Sequence, residues 1–200
     1  MNNKIIKDAA ILTVITLVAG LLLSYVYEVT KDPIAKQNEI AKQKAYQEVF
    51  AEADSFKEVE VDIDSLNKKV ADSGLTTQTI DEVVGAYKGS DLAGYVITVT
   101  TGEAYDGDIQ LTVGIQNDGT VNGISFLSIS ETAGLGMNAK NDAFKGQFAD
   151  KQVEAFAYTK TGASSPEQID AISGATITTN SVVNGVNATL IAFQNVGGDQ

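Results

Sequence analysis

The chain has 200 residues and a mass of 21.1 kDa, and 44% hydrophobic with 20% charged residues is the balance of a chain that folds. It contains no cysteine and no histidine, which excludes disulfides, iron–sulfur clusters, thiol nucleophiles and histidine-based zinc or acid–base chemistry. All 14 cationic residues are lysines, set against 26 acids; the net charge of −12 and pI near 4.3 argue against nucleic acid as a partner and leave redox chemistry to a bound cofactor.

No charged residue occurs from Ala9 to Tyr27. Those 19 positions, at about 1.5 Å each, span roughly 28 Å, close to the ~30 Å of a bilayer's hydrocarbon core. The apolar region of a secretory signal is the alternative, but no small-x-small cleavage site follows before Glu28. A pilin-like helix would carry a glutamate within the apolar run, and this one has none. The expected organisation is a cytoplasmic N-terminus over 1–8, a transmembrane helix over 9–27, a membrane-proximal helical linker over 28–53 and an extracytoplasmic domain over 54–200. Lys4 and Lys7 before the run set the orientation by the positive-inside rule.

Beyond the anchor, Asp32-Pro33 reads as an N-cap with proline in the first turn, followed by a helix over Ile34 to Phe50 with Ala41, Ala45 and Val49 four apart. Val59, Val61 and Ile63 alternate with Glu60 and Asp62 and predict a short strand. The Asp62-Ile63-Asp64 pair lacks the glycine and terminal glutamate of a calcium loop.

Ile80–Tyr87, Gly94–Thr100, Ile109–Gln116 and Val121–Ile129 read as strands. They are joined by Lys88-Gly89-Ser90-Asp91, a loop over Thr101–Gly107 and the hairpin turn Asn117-Asp118-Gly119. Connections this short make an antiparallel meander. A short helix over Asn138–Phe148, a strand over Val153–Tyr158 and a core-facing helix from Thr178 to Phe193 complete an α+β fold, with Val183, Val186, Leu190 and Phe193 on the buried stripe. Asn187-Ala188-Thr189 fits a glycosylation sequon but falls inside that helix.

Two segments invite a chemical reading. Gly134-Leu135-Gly136-Met137-Asn138-Ala139 matches a GxGxxA dinucleotide fingerprint, but it follows an antiparallel meander rather than sitting in a βαβ unit. Asp170-Ala171-Ile172-Ser173-Gly174-Ala175-Thr176 brings small residues, hydroxyls and a glycine to the start of the last helix, where unpaired N–H groups and the helix dipole favour an anion. The plainer alternative is that Thr178 or Thr179 is an N-cap and Gly174 a turn residue.

The same heptapeptide resembles the Dxx(S/T)GAT flavinylation motif of the FMN-binding domain family, which includes the G subunit of the Rnf electron-transport complex and the C subunit of the sodium-translocating NADH:quinone reductase. Glu131-Thr132-Ala133-Gly134-Leu135-Gly136 is similar to that family's ETPGLG loop, with Ala133 where proline is usual. Gly94-Tyr95, Tyr105-Asp106-Gly107 and Gly114 resemble its glycine-punctuated meander, and the length favours the Rnf-type protein.

The resemblance implies covalent FMN on Thr176 through a phosphoester installed by a flavin transferase, with Ser173, Gly174 and Ala175 beside it. Asp170 is then a recognition residue for the transferase. Glu131, Thr132, Gly134, Leu135 and Gly136 are implied to line the isoalloxazine, and Tyr105 is a further ring candidate. The implied role is electron relay in an ion-translocating ferredoxin:NAD+ oxidoreductase, with the complex's other subunits and membrane lipid as partners, no metal and no catalytic side chain of its own. A stand-alone anchored flavoprotein and a non-redox surface domain are the alternatives.

Overall fold

The computed structural model describes residues 3–196. Helix α1 (Asn3–Val49) is continuous, and the chain divides into two units between Lys42 and Gln43. In the first unit, Ile11, Leu12, Leu17, Leu21 and Leu23 are all exposed, and none of the most apolar stretch is buried by protein. Such a surface is stable in lipid rather than water, and the helix is long and apolar enough for a single membrane span.

The expected helix start at Asp32-Pro33 is corrected: Pro33 lies inside α1. Proline removes one i→i−4 hydrogen bond and crowds the preceding turn, yet the helix runs through it. Glu28 and Lys31 pair across that turn at 2.6 Å.

The second unit includes the last turns of α1, so residues 43–53 of the expected linker belong to it. Its centre is a five-stranded antiparallel meander in sequence order: β1 (Ser55–Glu58), β2 (Gln78–Lys88), β3 (Asp91–Thr101), β4 (Ile109–Gln116) and β5 (Val121–Ser128). Both faces are covered. Tyr46 and Val49 from α1 pack with Phe50 and Ala53, which follow it, against Val84, Ala86 and Val96. The opposite face carries Ile97, Val99, Leu111 and Val113 against α2 (Ile63–Asp72) and α4 (Thr176–Asn195). Two-sided burial explains why β3 and β4 read as near-continuous apolar runs.

Gly114 marks the closest approach of α1 to the sheet, because a Cβ there would stand 2.2 Å from the Val49 carbonyl oxygen.

The strand expected over Val59–Ile63 is not formed. Pairing stops at Glu58, and Asp62 instead caps α2, its Oδ1 accepting the Ser65 N–H at 3.0 Å. Val59, Val61 and Ile63 still pack on the core, so their alternation reports burial without strand pairing. From α2, Asn67 accepts the Ile80 N–H (2.7 Å) and donates to the Ile80 carbonyl (3.1 Å), satisfying β2 where its register with β3 shifts.

The expected helix over Asn138–Phe148 is a chain of short turns: 3₁₀ at Gly136–Lys140, α3 (Asp142–Lys145), then 3₁₀ at Gly146–Phe148. Phe144 and Phe148 do share a face, their ring centroids 5.7 Å apart. The strand expected over Val153–Tyr158 shrinks to β6 (Ala157–Thr159), which pairs in parallel with β7 (Gln168–Asp170). Asn187 of α4 takes both backbone groups of Phe156 (2.7 and 2.9 Å), removing them from any ladder and committing the sequon's amide to the interior.

Glu48 links α1 to the domain by accepting from Ser125 Oγ (2.8 Å) and pairing with Lys145 (2.5 Å). Burial pushes the Glu48 carboxyl up, but the Lys145 and Ser125 hydrogen bonds and the charges of Lys145 and Lys44 outweigh it and hold it below the ordinary range. The Glu48 hydrogen bond raises Lys145 in spite of burial, with the charges of Glu48 and Asp142 adding to it.

Two measurements check these contacts. Gly114→Ala should lower the domain's stability by roughly 2 kcal/mol in denaturant unfolding, because Val49 backbone must move. Lys145→Met should cost about 1 kcal/mol at neutral pH. In the native protein a depressed carboxyl loses its contribution as pH falls through the acid range, and a raised ammonium loses its own only on the alkaline side. The Lys145→Met deficit should therefore be flat from mildly acidic to mildly alkaline pH and shrink on both sides.

Candidate functional site

Three segments meet at a cleft of about 500 Å³: the β3–β4 loop through Tyr105, the loop after β5 through Glu131, Thr132, Leu135 and Gly136, and the entry to α4 through Gly174, Ala175, Thr176, Ile177 and Thr178. That size suits a small-molecule ligand.

Each segment is tied down. Glu131 Oε1 accepts the Tyr105 N–H at 2.9 Å. Glu103 Oε1, two residues earlier, accepts from Gln78 (2.8 Å) and from Asn184 of α4 (2.6 Å). Thr101 Oγ1 and Ser181 Oγ, both fully buried, meet at 3.0 Å. Together these bonds fix the β3–β4 loop to the first turns of α4.

The Glu131–Gly136 loop folds as a turn in which the Thr132 carbonyl accepts from Leu135 (3.1 Å) and Met137 (3.2 Å). Its third residue, Gly134, has φ +76°, and its second is Ala133, where this turn also admits proline. The missing φ restraint is offset by Asn138 Nδ2, which donates to the Gly134 carbonyl at 2.9 Å.

At the entry to α4, Gly174 adopts φ +75° and the Ala175 N–H closes a turn on the Ile172 carbonyl at 2.9 Å. Thr179 is not the N-cap. Its hydroxyl donates to Ala175 (3.0 Å) and accepts from Ile172 (3.0 Å), stitching the turn to the helix. The N-cap is Ala175, which has no side chain able to cap, so Thr176 is the first helical residue and the N–H groups of the first turn stay available.

Glu131, Thr132, Leu135, Gly136, Gly174, Ala175 and Thr176 are thus brought together with Tyr105. Asp170, Ser173 and Gly134 do not line the cleft. Asp170 organises the preceding loop: its Oδ1 accepts the Ala163 N–H and its own N–H donates to Gln147, each at 2.6 Å. Ile177 and Thr178 are lining residues that the motif reading did not single out. Their signal was positional: both directly follow Thr176 in the first turn of α4.

The chemistry of the lining is uneven. Among the described residues, Glu131 is its one charged side chain and no lysine lines it. Outside α1, the large apolar side chains exposed among the described residues are Tyr105 (70%), Ile177 (53%), Leu135 (43%) and Tyr158, and the first three ring this cleft. The site offers apolar rim, backbone N–H groups and hydroxyls.

A family model described as FMN-binding domain matches residues 104–191, and one described as RnfG N-terminal region matches residues 1–49. The chain is 33% identical over 186 residues to the G subunit of the proton-translocating ferredoxin:NAD(+) oxidoreductase complex of Clostridium ljungdahlii, covering 92% of this chain and 89% of that one. It is 31% identical over 200 residues to the G subunit of the Na(+)-translocating complex of Acetobacterium woodii, covering 96% and 93%. Among solved structures, the C subunit of the Na(+)-translocating NADH-quinone reductase from Parabacteroides distasonis shares the fold, with a TM-score of 0.54 at 19% identity over 84% of this chain and 96% of that one. With this coverage at these identities, the chain belongs to the G-subunit family of ion-translocating ferredoxin:NAD(+) oxidoreductase complexes, and its C-terminal part is an FMN-binding domain.

Proposed function

We propose that this chain is the FMN-bearing subunit of such a complex, anchored by α1, and that it relays electrons between the complex's other subunits. We further propose that FMN is held covalently, as a phosphoester on Thr176 Oγ1. The observation that carries the second reading is the charge of the cleft. A phosphate monoester brings about −1.5 to −2 charges, and among the described residues the lining meets it with no cation and with Glu131. The uncapped N–H groups of α4 favour an anion by only about 0.3–1 kcal/mol, up to ~2 when partly buried.

Residues 28–200 add a long-range penalty: excluding Lys4, Lys7 and Asp8 leaves 12 lysines against 25 acids. Esterification removes one phosphate charge and replaces bulk concentration by a local one in the millimolar range for short links. It needs a hydroxyl at the anion site. Thr176 is half-buried, lines the cleft and makes no side-chain hydrogen bond among the described residues.

The residues fit the group. Tyr105, Leu135 and Ile177 supply apolar surface for a flat ring, and Gly174 admits Leu135, whose Cδ2 would lie 3.0 Å from a Cβ there. FMN, when bound, supplies the one- and two-electron chemistry that none of these side chains can. The protein orients it, excludes water from one side and sets the local field. Lys4 and Lys7 support a cytoplasmic N-terminus with the FMN domain on the other side of the membrane. Outside the cytoplasm a tether prevents loss by dilution, and a flavin transferase would have to form the bond.

Attachment forms an Oγ1–P bond as the hydroxyl loses its proton and the phosphorus loses an oxygen substituent; the adduct weighs one FMN less one water. In full-length protein co-expressed with a flavin transferase, intact mass should show that gain, mapped to the peptide containing Thr176. Thr176→Ala should stay colourless after denaturation. Flavin surviving denaturation on the variant, or an unmodified Thr176 in protein from the native host, would overturn the assignment.

A further inference from the structure

Two polar side chains that line the cleft are more than nine-tenths buried as residues. Glu131 is 7% exposed and Thr178 1% exposed. Oε1 of Glu131 is committed to the Tyr105 N–H, whereas its Oε2 and the Thr178 Oγ1 make no hydrogen bond among the described residues. Both converge on Gly136, where a Cβ would stand 2.5 Å from the first and 2.6 Å from the second, and all three residues line the cleft. Neither oxygen is sealed off: among the described residues the one enclosed side-chain oxygen without a partner is Thr98 Oγ1. A carboxylate oxygen and a hydroxyl that take no protein partner and open on a binding cleft are placed to meet a ligand that enters it.

We infer that Glu131 Oε2 and Thr178 Oγ1 form a hydroxyl-reading pair that binds the polyol chain of the flavin. This rests on the proposed FMN site and assigns a part of the ligand to named oxygens. An ionised carboxylate only accepts, and a threonine hydroxyl both donates and accepts. Adjacent hydroxyls on a carbon chain present that combination, each able to donate to the first and exchange with the second. The apolar rim of Tyr105, Leu135 and Ile177 suits the ring, and the oxygen pair offers it little. Thr178 also lies two residues from Thr176, and the polyol is the portion of FMN bonded directly to the phosphate. Gly136 is required beneath the pair, since any side chain there would displace the Glu131 carboxylate.

Periodate supplies the test, because it cleaves the carbon–carbon bond between two free neighbouring hydroxyls, giving two carbonyls as periodate is reduced to iodate. The full chain, flavinylated by co-expression and held in detergent, is treated with sodium periodate while intact mass follows loss of the ring-bearing fragment. Native protein should be cleaved at least about tenfold more slowly than free FMN. Glu131→Gln and Thr178→Val should each speed cleavage about fivefold or more, as expected for one lost hydrogen bond. Thr178→Ser, which keeps the hydroxyl, should stay within about twofold of wild type.

Cleavage of the native adduct at the free-FMN rate overturns the inference, as does equal behaviour of the valine and serine variants. If Glu131→Gln does not load flavin, the valine–serine comparison decides alone. Absence of any FMN adduct on the wild-type chain is a different result, and sinks the proposed function itself.

Discussion

Packing of α4 across the sheet buries Val182, Val183, Val186 and Leu190, each worth roughly 1.5–3 kcal/mol when removed from water. A missing N-cap costs about 1 kcal/mol, so burial and not capping decides where this helix begins. Alanine at the N-cap leaves the first-turn N–H groups to a ligand, and the Thr179 hydroxyl holds the entering turn without occupying them. The cleft therefore inherits its position from the core. Thr101, Ser181, Glu103 and Asn184 carry that position to the β3–β4 loop, and Glu131 closes the third side.

Charge is the second determinant. The chain is acidic, and among the described residues the cleft is lined by a carboxylate and no cation. Most phosphate sites combine a helix N-terminus with lysine or arginine; here the helix stands alone. The proposed phosphoester on Thr176 answers that balance, since a bond holds an anionic cofactor where attraction is weak. The same lack of cations leaves the buried Glu131 carboxylate without an ion-pair partner, free to accept hydrogen bonds from a neutral, hydroxylated ligand. Both arguments trace to one compositional fact and one geometric one.

The family context bounds the function without choosing the ion. Relatives of similar identity are named as proton-translocating and as Na(+)-translocating, so an FMN-binding domain of this kind is compatible with either. The apolar part of α1, exposed throughout in this chain, matches a protein held at a membrane.

Much of this was legible in the sequence. An uncharged run of 19 residues, four β-rich segments joined by short turns and a 3–4 spaced apolar stripe fix an anchor, a meander and a packed helix, because each depends on local periodicity. The glycine loop and the heptapeptide before α4 were visible as motifs. Two strand readings failed for different reasons: the backbone of Phe156 is taken by the side chain of Asn187, 31 positions away, and the Val59–Ile63 alternation is ended locally by the Asp62 cap. Pro33 was misread because a helix sustained on both sides tolerates one lost bond. That Glu131, Gly136 and Thr178 converge, while Asp170 and Ser173 of the same motif lie outside the cleft, was decided by tertiary structure alone. Thr178 is brought to Glu131 and Gly136, more than 40 positions earlier in the chain, by burial of the faces opposite them, and periodicity reports that a face is buried but not what it is buried against.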